Sequence, residues 1–208
     1  MDNKLGIDLE KWNKAEAIES GDFESLALGG HKIVVKEASL YEGLVSGTTS
    51  LKICVDIAKG DEQEGFFQKQ YDNNKNENKK WSNGATRYLS LKEEYYGYTK
   101  GFITALEKSN NGFKFDTNKG WEQLQNLVCA GVFGLEEFED NDGKIRTATK
   151  LTQFRSLDKL NEIKIPRVKT IDGSYVDYEE YISNRNKKET KEFLNSTEVE
   201  IKEEDLPF

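Results

Sequence analysis

The sequence is poor in the residues that build metal and thiol sites. Its 208 residues contain one histidine, His31, two cysteines, Cys54 and Cys129, and two prolines. Two cysteines cannot form a disulfide framework, and one histidine cannot complete a Cys/His zinc cluster. We therefore expect no bound metal, no cofactor and no cysteine–histidine catalysis.

Long apolar runs are also missing. No stretch approaches the roughly 18 consecutive apolar residues of a membrane span, and the opening residues 1–4 lack the basic-then-apolar pattern of a signal peptide. We expect a cytoplasmic protein without membrane contact. Hydrophobic residues make up 36% and charged residues 33% of the chain, a composition that still permits a globular core.

Residues 31–156 have the patterns of five strands and one helix. Residues 50–58 alternate aliphatic with other side chains, as a half-buried strand does, and residues 99–109 carry a helical apolar stripe. Asn141-Asp142-Gly143 predicts a hairpin turn. In the strand that follows, parity places Lys144, Arg146, Lys150 and Phe154 on one face.

The resulting order is strand, strand, strand, helix, strand, strand. This is the order of an OB fold, a five-stranded Greek-key barrel whose sheet and loops often hold oligonucleotides, although other α+β domains share it. We predict a mainly β fold with such a barrel over residues 31–157. An N-terminal helix and lead-in (1–30), a charged and partly helical extension (158–197) and a disordered acidic tail (198–208) flank it. Residues 59–83 are predicted to be a long loop or an extended hairpin.

Charge is segregated along the chain, although the net charge is −8. Residues 144–169 hold eight basic and two acidic side chains, and residues 66–100 hold seven basic and four acidic ones. Residues 198–205 hold five acids and one lysine. The distribution matters more than the sum for a polyanionic ligand, so we predict a basic surface on an acidic protein.

Aromatic residues are interleaved with the basic ones. Single-stranded nucleic acid needs this combination, because cations follow the phosphates while flat rings stack on bases. The alternative is that Phe66 and Phe67 close the barrel, that Trp81 buries its ring and that the lysines are only solvated. The predicted phosphate contacts are Lys69, Lys79, Lys80, Lys144, Arg146 and Lys150, and the predicted stacking residues are Phe66, Phe67, Tyr71, Trp81, Tyr88 and Phe154.

The chain ends in Glu203-Glu204-Asp205-Leu206-Pro207-Phe208. An acidic segment that finishes in Leu, Pro and a terminal Phe has the chemistry of a docking peptide, because the ring can fill an apolar pocket and the carboxylate can contact a basic side chain. This ending resembles the Asp-Ile/Leu-Pro-Phe tail of bacterial and phage single-stranded DNA-binding proteins. The resemblance implies an OB-fold body, often oligomeric, and a tail that recruits replication, recombination and repair enzymes through Asp205, Leu206, Pro207 and Phe208.

We therefore expect a non-catalytic protein that coats single-stranded DNA in a bacterial host cell, encoded by a phage or prophage. One alternative is a phage recombination or replication adaptor that binds proteins rather than DNA. Another is a Mg²⁺-dependent nuclease, for which Asp56, Glu64 and Lys69 form a loose acidic-plus-lysine set.

Overall fold

The structure is a computed structural model, and it describes residues 9–14, 24–43 and 47–197. The predicted acidic tail, with Asp205, Leu206, Pro207 and Phe208, lies outside these residues, as does most of the predicted N-terminal helix. Within the described ranges, no helix has the length and apolar character needed to cross a membrane.

Seven strands and four α-helices make up the described part of the chain. The strands are β1 (Gly29–Glu42), β2 (Thr49–Ile57), β3 (Thr86–Ser90), β4 (Val128–Glu139), β5 (Ile145–Arg155), β6 (Val168–Lys169) and β7 (Tyr175–Val176). The helices are α1 (Leu9–Lys14), α2 (Phe66–Asn73), α3 (Tyr96–Ser109) and α4 (Tyr178–Thr197). The prediction of a mainly β fold with some helix is confirmed.

One sheet contains all of the strands. Its order is β3-β2-β1-β4-β6-β7, and β5 pairs with β4. The sheet is mixed, because β6 runs parallel to β4 whereas the other pairs are antiparallel. It is also open, because β3 and β5 approach each other without a hydrogen-bonded ladder. An OB-fold-like five-stranded Greek-key barrel was predicted, whereas the structure has seven strands in an open sheet without a β3–β5 ladder.

The core fills the space between the sheet and helix α3. Alternate residues of β1 are buried, as the two-residue period of a strand requires when one face is covered. Helix α3 contributes Phe102 and Leu106, and β4 contributes Phe133, each with almost no exposed surface. These side chains belong to a single hydrophobic cluster that extends to Leu151 of β5.

Helix α2 lies within residues 59–83, where a long loop or an extended hairpin was predicted, and that prediction was wrong for the helical residues. Asp56, at the end of β2, is buried, and its Oδ1 accepts hydrogen bonds from the backbone amides of Ile57, Phe67 and Gln68. The carboxylate thus satisfies first-turn N–H groups that a helix leaves unpaired. Phe66 and Phe67 then anchor the same turn in the core.

A bulge in β5 changes its parity. Val132 of β4 is opposite Gln153, but the next residue, Phe133, is opposite Leu151, which leaves Thr152 as the extra residue. Beyond the bulge Phe154 turns to the core side, where its ring lies 4.2 Å from that of Phe102. The prediction that Phe154 shares a face with Lys144, Arg146 and Lys150 is therefore wrong, because one extra residue moves the later side chains to the opposite face.

A carboxylate ties the start of β1 to the loop after β2. Asp61 accepts a hydrogen bond from Nδ1 of the buried His31 at 3.1 Å and from the amides of Lys32 and Gln63 at 2.9 and 3.1 Å. Partial burial alone raises the pKa of Asp61, but these hydrogen bonds outweigh it and hold the pKa below the ordinary 3.8. The ionised carboxylate therefore stabilises the folded state.

We predict that Asp61→Asn lowers the free energy of unfolding by about 1 to 2 kcal/mol at pH 7. Because the folded-state pKa of Asp61 is depressed, its contribution is present above pH 3.8 and is lost as the pH falls through the folded-state pKa. Urea denaturation at pH 7 and at acid pH should show the difference from the unaltered protein shrinking in acid. Glu62→Gln, an exposed neighbouring carboxylate, is the control; a deficit that does not depend on pH would contradict this role.

We predict that Asp56→Ala lowers the free energy of unfolding by about 2 kcal/mol, because it leaves buried amides of α2 without an acceptor. Thermal and urea denaturation measure the loss, and far-UV circular dichroism reports the helix. Asp72→Ala, an exposed site on the same helix, should cost well under half as much. Equal losses for the two variants would refute the capping role of Asp56.

Candidate nucleic-acid interface

A groove of about 960 Å³ crosses the molecule beside the open seam between β3 and β5. One wall consists of β3 and one side of α3 along nearly its whole length. The other wall consists of the end of β5, the turn that follows it, and the short strands β6 and β7. The two walls come from chain segments that are far apart in sequence.

The lining of the groove is strongly cationic. Among the described residues of this lining, six basic side chains face a single carboxylate, that of Glu136. The basic residues are Arg87, Lys108, Arg155, Lys159, Arg167 and Lys169. A concave surface with this imbalance concentrates positive potential where a polyanion can enter, despite the negative charge of the whole protein.

Exposed aromatic rings line the same groove. Tyr88, Tyr95, Tyr98 and Tyr175 have exposed fractions of 47%, 45%, 71% and 55%. The rings of Tyr95 and Tyr98 are 6.4 Å apart, and Tyr88 contacts Tyr41 of β1 at a centroid distance of 4.9 Å. Rings held with one face open to solvent can stack on planar ligands.

Local structure places these rings. A single 3-10 turn, Glu93–Tyr95, leads into α3, so Tyr95 is the N-cap of the helix and Tyr98 lies on its first turn, away from the buried stripe. Gly97 and Gly101 lie on the same side and also line the groove. At this end of the helix the wall therefore has two tyrosine rings and two glycines, which have no side chains.

The predicted loop residues do not line this groove. Phe66 and Phe67 are buried in the core, with Phe67 5.8 Å from Phe133, and this position matches the alternative in which they close the core. Lys69 and Lys80 are exposed elsewhere.

Tyr71, Lys79 and Trp81 form a half-buried cluster of their own. The rings of Tyr71 and Trp81 are 5.5 Å apart, and Lys79 Nζ lies 4.5 Å from the centre of the Tyr71 ring. Trp81 also donates a hydrogen bond from Nε1 to the carbonyl oxygen of Val55 at 2.9 Å. These contacts fix α2 and the following loop on β2.

The predicted contacts on β3 and on the β4–β5 hairpin are divided between surfaces. Tyr88 and Phe154 line the groove, although Phe154 does so from the core side. Lys144 is exposed in the hairpin turn, Arg146 pairs with Asp140, and Lys150 lines a second cavity of about 720 Å³ beside Phe66 and Phe67.

Sequence analysis missed most of the groove. Arg155, Lys159, Arg167 and Lys169 belong to the basic segment 144–169, but they were not among the predicted phosphate contacts. Tyr95 and Tyr98 were not among the predicted stacking residues. A signal was present, because three tyrosines within residues 95–98 lie off the apolar stripe of a helix. Large rings off the buried face of a helix are candidates for contact with a ligand.

Both carboxylates of the alternative nuclease set accept hydrogen bonds from backbone amides. Asp56 holds the first turn of α2, and Glu64 Oε2 accepts a hydrogen bond from the amide of Gly60 at 3.1 Å. Within the described residues, no three His, Cys, Asp or Glu side chains are grouped as a metal site. Both cysteines are buried, and burial raises the pKa of Cys129 to about 12.

Neither a protein-family model nor a curated protein matches this chain.

We predict that the aromatic residues of the groove differ sharply in their contribution to stability. Phe154→Ala should lower the free energy of unfolding by about 3 kcal/mol because it empties part of the core. Tyr98→Ala should change the free energy of unfolding by less than about 0.5 kcal/mol, because its ring is mostly exposed. Urea denaturation of both variants tests this, and comparable losses would show that Tyr98 is part of the packed structure.

Proposed function

We propose that this protein binds single-stranded DNA in the groove between β3–α3 and β5–β7. The observation that carries the proposal is the lining itself, with six cationic side chains, one carboxylate and four exposed tyrosines. Cations neutralise phosphates without reading sequence, and each stacked base contributes about 1 to 3 kcal/mol. The combination suits a single strand, because duplex bases are already stacked on each other.

The positions of the side chains suggest how the strand is held. Lys108, Arg155 and Lys159 line the groove near the C-terminal end of α3, where the amide of Leu157 donates a hydrogen bond to Ser109 Oγ at 3.0 Å. Tyr95 and Tyr98 lie at the other end of the helix, about 15 Å away at a rise of about 1.5 Å per residue. A strand that runs along α3 can therefore place phosphates on the cations at one end and bases on the rings at the other. Tyr88 and its neighbour Tyr41 extend the aromatic surface over the adjacent strands of the sheet. Stacking on rings of this kind tolerates any base, which suits a protein that coats DNA.

The fold is compatible with the same role. The pairing order β3-β2-β1-β4-β5, with α3 between β3 and β4, matches the strand order of an OB fold, with β6 and β7 added. We propose that the first five strands form an OB-like unit and that the protein acts in the bacterial cytoplasm during phage replication or recombination. The terminal residues Asp205, Leu206, Pro207 and Phe208 are the proposed recruiting segment for partner enzymes, and self-association is part of the same proposal.

The direct test is fluorescence anisotropy of a labelled oligo-dT, titrated with the full-length protein at several salt concentrations beside a duplex of equal length. We predict tight, salt-sensitive binding to the single strand and weak binding to the duplex. Replacing Arg155 and Lys159 together by Gln should weaken binding about tenfold. It should also reduce the salt slope by about 1.4, because each phosphate contact on a single strand contributes about 0.7.

The matched control replaces Lys69 and Lys80 by Gln, which changes the net charge equally outside the groove. This control should bind within about twofold of the unaltered protein. If the Lys69/Lys80 double variant loses more oligo-dT affinity than the Arg155/Lys159 double variant, the groove is not the DNA-binding surface. If the single strand does not bind at low salt, the proposed function is wrong and the adaptor alternative takes its place.

A further inference from the structure

The floor of the groove contains a guanidinium at the seam between β3 and β5. Arg87 of β3 is half-buried, and its Nη1 donates a hydrogen bond to the carbonyl oxygen of Leu151 in β5 at 3.3 Å. This is the only hydrogen bond that the guanidinium makes with the described residues. A guanidinium has five N–H donors, so most of its hydrogen-bonding capacity is unused.

Two further cations and one carboxylate surround this guanidinium. Lys169 of β6 pairs with Glu136 of β4, and Arg167 lies over the ring of Tyr175 with 5.7 Å between the guanidinium carbon and the ring centre. All of these residues line the groove. Three positive charges therefore share one negative partner, and that partner is engaged by Lys169.

The surroundings leave Arg87 incompletely compensated. Burial lowers the pKa of its guanidinium, and the charges of Glu136 and Tyr175 offset this only in part. An arginine remains cationic at neutral pH even so. A partly desolvated cation with free donors favours an anion that can accept two parallel hydrogen bonds.

We propose that the β3–β5 seam is a phosphate-binding subsite, in which Arg87 binds one phosphate of the polynucleotide backbone and Lys169 and Arg167 neutralise it. This proposal rests on the proposed function, and it assigns the deepest backbone contact of the strand to Arg87. A phosphate here links β3 to β6 across the opening that the sheet leaves between its edges. Glu136 is the internal competitor of the phosphate for Lys169.

The competing role of Glu136 permits a test that improves binding. Glu136→Gln removes the one carboxylate that the described residues contribute to the groove and frees Lys169, so it should tighten oligo-dT binding about fivefold in the anisotropy assay. The control is Glu139→Gln, an exposed carboxylate of the same strand outside the groove, with the same change in net charge. This control should bind within about twofold of the unaltered protein. Misfolding would reduce the fraction of binding-competent protein, so it would weaken oligo-dT binding and not tighten it.

Arg87→Lys tests the geometry of the contact. It keeps the charge but loses the planar pair of donors, so it should weaken oligo-dT binding about tenfold while leaving the salt slope unchanged. Thermal denaturation with inorganic pyrophosphate supplies a second measurement. The anion should raise the melting temperature of the unaltered protein but not that of Arg87→Lys.

The outcomes separate the two proposals. If oligo-dT binds and both Glu136→Gln and Arg87→Lys bind within twofold of the unaltered protein, the subsite is refuted and the proposed function stands. If oligo-dT fails to bind but pyrophosphate stabilises the unaltered protein and not Arg87→Lys, the anion subsite stands and the single-strand proposal falls. If neither ligand has an effect, both proposals fall.

Discussion

The backbone hydrogen bonding of β4 on both of its edges is the interaction on which the other elements depend. One edge pairs with β5 over nearly its whole length, and the other pairs first with β1 and then with β6. Two glycines permit this crowding. A side chain at Gly131 would collide with Ile33 and Leu151, and one at Gly134 would collide with Pro166. Through that last contact, β4 also positions the segment that carries Arg167 and Lys169.

The groove is a consequence of where the sheet stops pairing. If β3 and β5 shared a ladder, their facing backbone groups would be satisfied and Arg87 would have no carbonyl to reach at Leu151. The open seam instead leaves room for long cationic side chains from both walls. Basic residues that are far apart in sequence thus line the two sides of one groove. The carboxylates of the β4–β5 turn form ion pairs or face solvent elsewhere.

Local patterns were sufficient to predict the five long strands and helix α3, because two-residue alternation and a helical stripe are written in neighbouring residues. They were not sufficient for α2, whose first turn depends on Asp56 from the preceding strand. The bulge at Thr152 was equally hidden, since it depends on packing against β4 and reverses every later side chain. The groove was the feature least predictable from the sequence, because Arg87, Arg155 and Arg167 come to line one groove only after β4 has paired.

The same pairing sets an order of events during synthesis. Ile33 of β1 is opposite Cys129 of β4, and β2, β3, α2 and α3 all lie between them in the chain. A nascent chain that has produced β1 and β2 can form their hairpin, but the second edge of β1 stays unpaired until β4 has left the ribosome. During that interval an exposed strand edge is open to association with other chains, and such an edge is a hazard for misassembly. Closure of the sheet is therefore a late step in folding, and it is also the step that creates the groove.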